Sequence, residues 1–296
     1  MALRAPTILS GSTPVTRGAG CARSAGEGGA RAVPARAHMS YHLAFHPSNA
    51  DPITMLEQAR AELAPTGVLR AGINMSNFLL VTGKSSNGDP EGVSPDMARA
   101  VADRLGVPLQ LVPFKNPGEL ADAALEDLWD IGNIGAEPER AKTIAFTAAY
   151  VEIEATYLVP AGSPIQSVEE VDREGVRIAV SQRSAYELWL SDNIKHATLV
   201  MAQGLDASFD LFVEQQLDAL AGLRPRLIAD VKKLPGARIL EGQFTAVQQA
   251  IGTKPDRKAG AAFLREFVEE AKSSGLVATL IEKHGVVGRL TVAPPG

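Results

Sequence analysis

The sequence predicts an α/β protein of two lobes, each a parallel sheet covered by helices, with the chain crossing between the lobes twice. Three observations carry this. From residue 68 the patterning runs strand, helix, strand, helix, strand, the alternating order that builds a parallel sheet covered on both faces. After about Tyr157 the alternation begins again, with strand-like runs at 177–181, 197–201 and 218–222 separated by helical runs at 185–193 and 205–216. Between the two series lies the stretch 129–150, WDIGNIGAEPERAKTIAFTAAY. There a short apolar strand, 131–134, breaks at Gly135 and reopens as a helical turn, Glu137-Pro138-Glu139-Arg140. Proline suits the first positions of a helix because its missing N–H would have no intrahelical partner. A strand that ends in small residues and opens a helix exposes free N–H groups, a cradle for an anion. Arg140 stands where a guanidinium can fork onto a carboxylate held in that cradle.

Composition narrows the class. The 296 residues are 45% hydrophobic and 21% charged, ordinary for a globular chain able to bury a real core. No run approaches the ~18–20 apolar residues that span a bilayer as a helix. The single cysteine, Cys21, excludes an intrachain disulfide framework and a cysteine-rich metal site. Residues 1–50 hold five Arg against one Glu, a balance of +4, which leaves −9 for the rest of a chain whose total is −5. An acidic body without a basic face argues against nucleic acid as a partner. Gly83-Lys84-Ser85 looks like the end of a phosphate loop, but the glycine required five residues earlier is Phe78. No cofactor and no metal are expected.

Taken in order, residues 1–50 show no apolar periodicity and read as a disordered leader. They lack the ~7–15-residue apolar stretch of a secretory signal. Gly18-Ala19-Gly20-Cys21 has nothing hydrophobic before it, an organelle transit peptide also fits, and a start at Met39 is the favoured explanation. His38, His42 and His46 are spaced for one helical face, but Pro47 argues for a solvated tail. Residues 51–63 form an amphipathic helix with an Asp51 cap and Ile53, Leu56 and Leu63 inward. A strand at 68–75 and a small hairpin of 79–82 with 91–93 follow. The helix at 95–105 places Met97, Val101 and Leu105 on one face and stops at Gly106. A strand at 109–113 and a helix at 117–128 lead to the strand at 131, and an alternating strand ends at Tyr150. Later come a helix at 225–232, a returning strand at 244–252 and closing helices within 260–284. The expected division is a leader at 1–50, one lobe from 51–157 with 248–290, and a second from 158–247.

Four pieces in this order resemble the family 3 extracellular solute-binding proteins, the amino-acid receptors of ABC transporters. They are the Trp129-Asp130 to Arg140 to Tyr150 core, Gly92 to Gly106 (GVSPDMARAVADRLG), Ile178 to Ser184 (IAVSQRS) and Asp218 to Gly222 (DALAG). The likeness runs from about residue 66 to about 288. It implies the two-lobed type II periplasmic-binding-protein fold, two doubly wound sheets joined by a two-strand hinge. It further implies Arg140 as carboxylate clamp, with Ser184 giving its hydroxyl and backbone N–H to the same carboxylate. Asn133 and Gly135 would face the ligand, and Phe78, in the Ser76-Asn77-Phe78 loop, would form an aromatic wall.

The sequence departs from the family pattern at four places. The ammonium-binding Asp is Leu223, Arg224 follows it, Arg183 replaces a small residue before Ser184, and Glu137 replaces the Thr of the Arg140 motif. Burying an ammonium without a carboxylate costs several kcal/mol. Either Glu137, Glu152 or Glu154 serves instead, or the ligand has no ammonium. Arg183 and Arg224 near the mouth point toward an anionic ligand, with pairing to the acidic surface as their alternative. The resemblance implies a monomeric solute receptor for a small carboxylate, partnered by an ABC permease and not an enzyme. A cyclohexadienyl dehydratase on the same fold and a sensor module are the alternatives. The family is periplasmic, whereas no signal is visible here, so both compartments stay open.

Overall fold

The structure, a computed structural model, describes residues 52–296. The expectations for the leader, for the three spaced histidines and for Asp51 as a cap lie outside the described residues. α1 (Pro52–Leu63) turns Ala59 and Leu63 inward and lies along α7 (Lys258–Ser273), while Ile53 is 68% exposed. Their approach requires Gly260, where a Cβ would lie 2.7 Å from the Leu63 side chain. β1 (Leu69–Asn74) precedes a small hairpin of β2 (Gly83–Lys84) and β3 (Pro90–Glu91). α2 (Val93–Leu105) buries Met97, Val101 and Leu105 completely and ends at Gly106, whose φ of 66° lets its N–H reach back into the last turn.

β4 (Leu109–Phe114), α3 (Pro117–Asp122) and β5 (Ile131–Gly135) complete the first series. α3 is six residues shorter than its pattern suggests. The indole N–H of Trp129 donates to the Leu120 carbonyl at 2.9 Å, taking an acceptor the continuing helix would have used, and the chain leaves through tight turns. The strand anticipated up to Tyr150 is only β6 (Ala145–Phe146). Beyond it the Thr147 hydroxyl accepts from the Ile251 N–H, and β7 (Val151–Val159) then begins.

The second series is β8 (Arg177–Ser181), α4 (Ala185–Asn193), β9 (Thr198–Ala202), α5 (Leu205–Glu214), β10 (Ala219–Leu223) and α6 (Arg224–Asp230). β11 (Arg238–Ile239), β12 (Thr245–Thr253), α7, α8 (Leu276–Lys283) and β13 (Thr291–Val292) finish the chain. The two short strands β11 and β13, both on β7, carried no sequence signal.

Strand order is β4-β1-β5-β12-β7-β10-β8-β9. β4, β1 and β5 are parallel, as are β10, β8 and β9. Each trio has its first strand in the middle, the arrangement that opens a crevice at the carboxyl ends of doubly wound strands. The long antiparallel pair β7 and β12 links them: β12 bonds β5 through Gln249–Gly252, and β7 bonds β10 through Ala155–Leu158. Hydrogen bonding therefore passes unbroken from one trio to the other.

At the far end of the first trio Asp130 is fully buried. Its carboxylate accepts from the Arg70 backbone N–H at 2.9 Å, the Arg70 guanidinium at 2.9 and 3.0 Å and Arg257 at 2.9 Å. Removing one member of such a set leaves uncompensated buried charge. Asp130→Ala should therefore lower unfolding free energy by about 3 kcal/mol in urea denaturation. A change under about 0.5 kcal/mol would show that these contacts are not what ties β1 to β5 and α7.

Candidate functional site

The carboxyl ends of the parallel strands meet at a cleft of about 550 Å³, a size suited to a small organic ligand. Asn74 ends β1, Lys115 follows β4, Gly135 ends β5, Ser181 ends β8, Gln203 follows β9 and Leu223 ends β10, and all six line it. Residues from both halves of the sheet thus face one space.

Arg140 is the chemical centre of this cleft. It is 5% exposed, donates to the Gly135 carbonyl at 2.7 Å and reaches across to the Arg183 carbonyl at 2.9 Å. Burial brings its pKa down to about 10, so it stays charged at neutral pH. Among the described residues no carboxylate lies within ion-pair distance of it; Glu137 and Glu187 act on it only from further off. Gly135 is fitted to this contact, since a Cβ there would crowd Ala185 at 3.0 Å, Val247 at 3.2 Å and the guanidinium at 3.4 Å.

Arg183 and Ser184 approach from the other side. Ser184 caps α4, its hydroxyl accepting from the Glu187 N–H at 3.1 Å, while its own N–H donates to the Ser181 carbonyl. The hydroxyl also meets that of Tyr186, and the backbone N–H anticipated for a carboxylate is taken by the turn. Arg183 has a left-handed φ of 58°, held by its N–H donating to Glu187 at 2.7 Å. Its guanidinium forks onto Asp122 of α3 at 2.6 and 2.8 Å and onto the Gly118 carbonyl. The group expected to meet an anion instead joins the two halves, because Asp122 is presented directly opposite.

Asn77 lines the cleft, but its side-chain oxygen accepts from the N–H groups of Leu79 and Leu80. Asn74 is turned in the same way, its oxygen accepting from the Ser76 N–H and hydroxyl. Local turns of this kind fix an amide oxygen toward the backbone and leave its NH2 outward. Phe78 does not line the cleft; the Asn77 turn carries its half-buried ring onto the core. Asn133 is buried on β5 with neither amide atom partnered, and it does not line the cleft. Glu137 is also off the lining, buried behind Arg140. Arg224 is bound to Glu154 at 2.5 Å and to the Gly242 carbonyl, so both Arg224 and Glu154 are engaged outside the cleft.

Residues the sequence reading passed over include Asn74, Lys115, Asn116, Gln203, Tyr186 and Gln249. The rule that ligands sit beyond the carboxyl ends of parallel strands was the signal that could have found Asn74, Lys115 and Gln203. Among the described residues no group of three His, Cys, Asp or Glu is placed to hold a metal. Nor is any described helix long and apolar enough to cross a membrane.

Burial lifts the Glu137 carboxyl from its ordinary 4.5 to about 7, with Arg140 opposing and Asp192 adding to the rise. A carboxyl raised in the folded state opposes folding once ionised. Its contribution is intact below 4.5 and is lost as pH climbs through 7. Glu137→Gln should therefore match the parent protein at pH 4.5 and exceed its stability at pH 8 by on the order of 3 kcal/mol. Thermal melts between pH 4.5 and 8.5 read this directly; parallel curves for the two proteins would refute it.

The geometry can be set beside known proteins. A curated cyclohexadienyl dehydratase from Pseudomonas aeruginosa is 26% identical over 178 residues. The match covers 55% of this chain and 66% of that enzyme, just under two thirds of its length. ArgBP from T. maritima, solved as a mutant, superposes with a TM-score of 0.62 at 23% identity over 77% of this chain and 99% of that one. An ancestral amino acid-binding protein, a precursor of cyclohexadienyl dehydratase, gives 0.60 at 23% over 75% and 97%. The cysteine-binding protein from Campylobacter jejuni gives 0.62 at 18% over 77% and 92%. These likenesses establish the fold, the two-lobed architecture of type II periplasmic-binding proteins. The model of the bacterial extracellular solute-binding proteins, family 3, matches residues 69–287, well over half of the sequence, and to that family the chain belongs.

Proposed function

We propose that this protein is the receptor component of an ABC-type importer, acting as a monomer that closes over one small carboxylate-bearing solute. The solute class is an amino acid or a related organic anion. The observation that carries the reading is Arg140, a buried guanidinium on the cleft wall with carbonyl partners and, among the described residues, no carboxylate in ion-pair range. A carboxylate arriving there gains charge-assisted hydrogen bonds in a poorly solvated place, where they are strongest. The Ser184 hydroxyl and the outward amide of Asn77 supply further donors. Residues 51–157 with 248–290 form one lobe in this reading and 158–247 the other, β7 and β12 acting as the hinge. Arg183 serves as a strap between the lobes rather than as a ligand contact. Support comes also from solved neighbours described as an amino acid ABC transporter's substrate-binding protein and as bound to L-arginine.

A second reading, an enzyme of the dehydratase kind, is favoured by the 26% identical relative. The cleft suits it less. The carboxylate on its lining, Glu119, is committed to its own helix cap, accepting from Asn116 at 3.0 Å and from the Lys115 N–H at 3.3 Å. Glu137, raised to about 7, lies off the lining. Incubation with prephenate and with arogenate is expected to release no product, and turnover above a heat-killed control would replace the receptor reading with the enzymatic one.

Isothermal titration against a panel of amino acids and organic acids tests the main reading. For whichever solute binds, Arg140→Ala should weaken affinity by about 30- to 1,000-fold, the consequence of removing one partner of a desolvated charged contact. Unchanged affinity in a folded Arg140→Ala protein would remove the basis of the proposal.

A further inference from the structure

We propose that the solute is an organic acid without an ammonium group, so that amino acids are excluded. The inference rests on the receptor reading and concerns the same cleft. Its lining brings three cations, Lys115, Arg140 and Arg183, against one carboxylate, Glu119, which is already held by Asn116 and the Lys115 N–H. Arg183 is matched by Asp122, leaving Arg140 and Lys115 without a carboxylate in ion-pair range among the described residues.

The neutral groups have the same polarity. The oxygens of Asn74 and Asn77 are pinned by backbone N–H groups, so each offers the cleft its NH2. The Ser184 oxygen accepts from the Glu187 N–H, and its hydroxyl also meets that of Tyr186. Tyr186 lies buried on the lining, its hydroxyl set against the side chains of Ser184 and Ser181. The amide acceptors on the lining include those of Gln203 and Gln249, which carry no charge. The second half contributes Leu223 at the end of β10, with Leu205, Ala185 and Val247 beside it, an apolar wall where an ammonium would be stripped of water for nothing. A site of free donors and surplus positive charge accepts oxyanions and repels an ammonium. An acid with an oxo, hydroxyl or unsubstituted carbon next to its carboxylate meets both demands.

The test compares matched ligands by isothermal titration and thermal shift on the wild-type protein. The panel pairs amino acids with the 2-oxo and 2-hydroxy acids bearing the same side chains. An acid of the second kind should bind at least about a hundredfold more tightly than its amino counterpart. If an amino acid binds as well as or better than its partner, this inference fails while the receptor reading stands. If neither kind binds, the receptor reading itself fails. Leu223→Asp supplies the converse: once a melt shows it folded, it should bind amino acids at least about tenfold more tightly than wild type and organic acids more weakly. An unchanged ligand preference in that folded variant would also count against the proposal.

Discussion

A guanidinium withdrawn from water with no carboxylate in ion-pair range among the described residues is the constraint on which the rest of the cleft turns. Taking Arg140 out of solvent costs several kcal/mol, and two carbonyl dipoles, from Gly135 and Arg183, return part of that. They do not neutralise it, as the depressed but still basic pKa of about 10 reflects. The remainder persists as positive potential concentrated between low-dielectric walls, the arrangement that draws anions in. A glycine at 135 leaves the guanidinium room, since a side chain there would press on Ala185 and Val247 and come into contact with it. The small residues of that strand end are therefore tied to the charge beside them.

The same guanidinium is a joint. One of its bonds stays with β5 and the other lands on the loop before α4, so it touches both halves of the sheet. Arg183 repeats the pattern in the opposite direction, its backbone belonging to the β8–α4 loop and its side chain to α3. The Arg183–Asp122 pair is about half exposed on each side, and pairs of that kind contribute only ~0–1 kcal/mol. That pair by itself thus holds the two lips of the cleft only weakly. In the proposed receptor a ligand that favours the joined arrangement by a few kcal/mol would dominate the balance, the condition for a binding signal to become a change of shape.

Much of this was legible in the sequence where local chemistry decides the outcome. The helix face Met97–Val101–Leu105 with its Gly106 stop and the Ser184 cap follow from residues within a few positions of each other. The alternation of strands and helices gave both trios, and through them the cleft. Long-range partners were not legible. Arg183 and Asp122 are 61 residues apart, and Arg224 and Glu154 are 70 apart. No pattern in either neighbourhood signals that these arginines are already matched. The shortened α3 depends on an indole nine residues away. Phe78 and Asn77 were separable only through a turn: an aromatic beside an Asn reads as a ligand wall until the Asn oxygen is seen capturing Leu79 and Leu80.

That turn chemistry adds neutral donors to the polarity that Arg140 and Lys115 give the cleft. An unconstrained amide presents oxygen or nitrogen with equal ease, so Asn on a cleft wall says nothing about the ligand's sign. Tying the oxygen to the following turn removes one choice: Asn77 accepts from the N–H groups of Leu79 and Leu80, and Asn74 from the N–H and hydroxyl of Ser76. The donors are then oriented by the loop that carries them, independent of how the two halves stand. Such preorganisation reduces the ordering cost on binding. Apolar Leu223 works in concert with them: it provides no acceptor at the one strand end where a carboxylate would have balanced the cations. In the proposed receptor, selectivity against a positive group would arise from the orientation of neutral dipoles and the omission of an acid, both fixed before any ligand arrives.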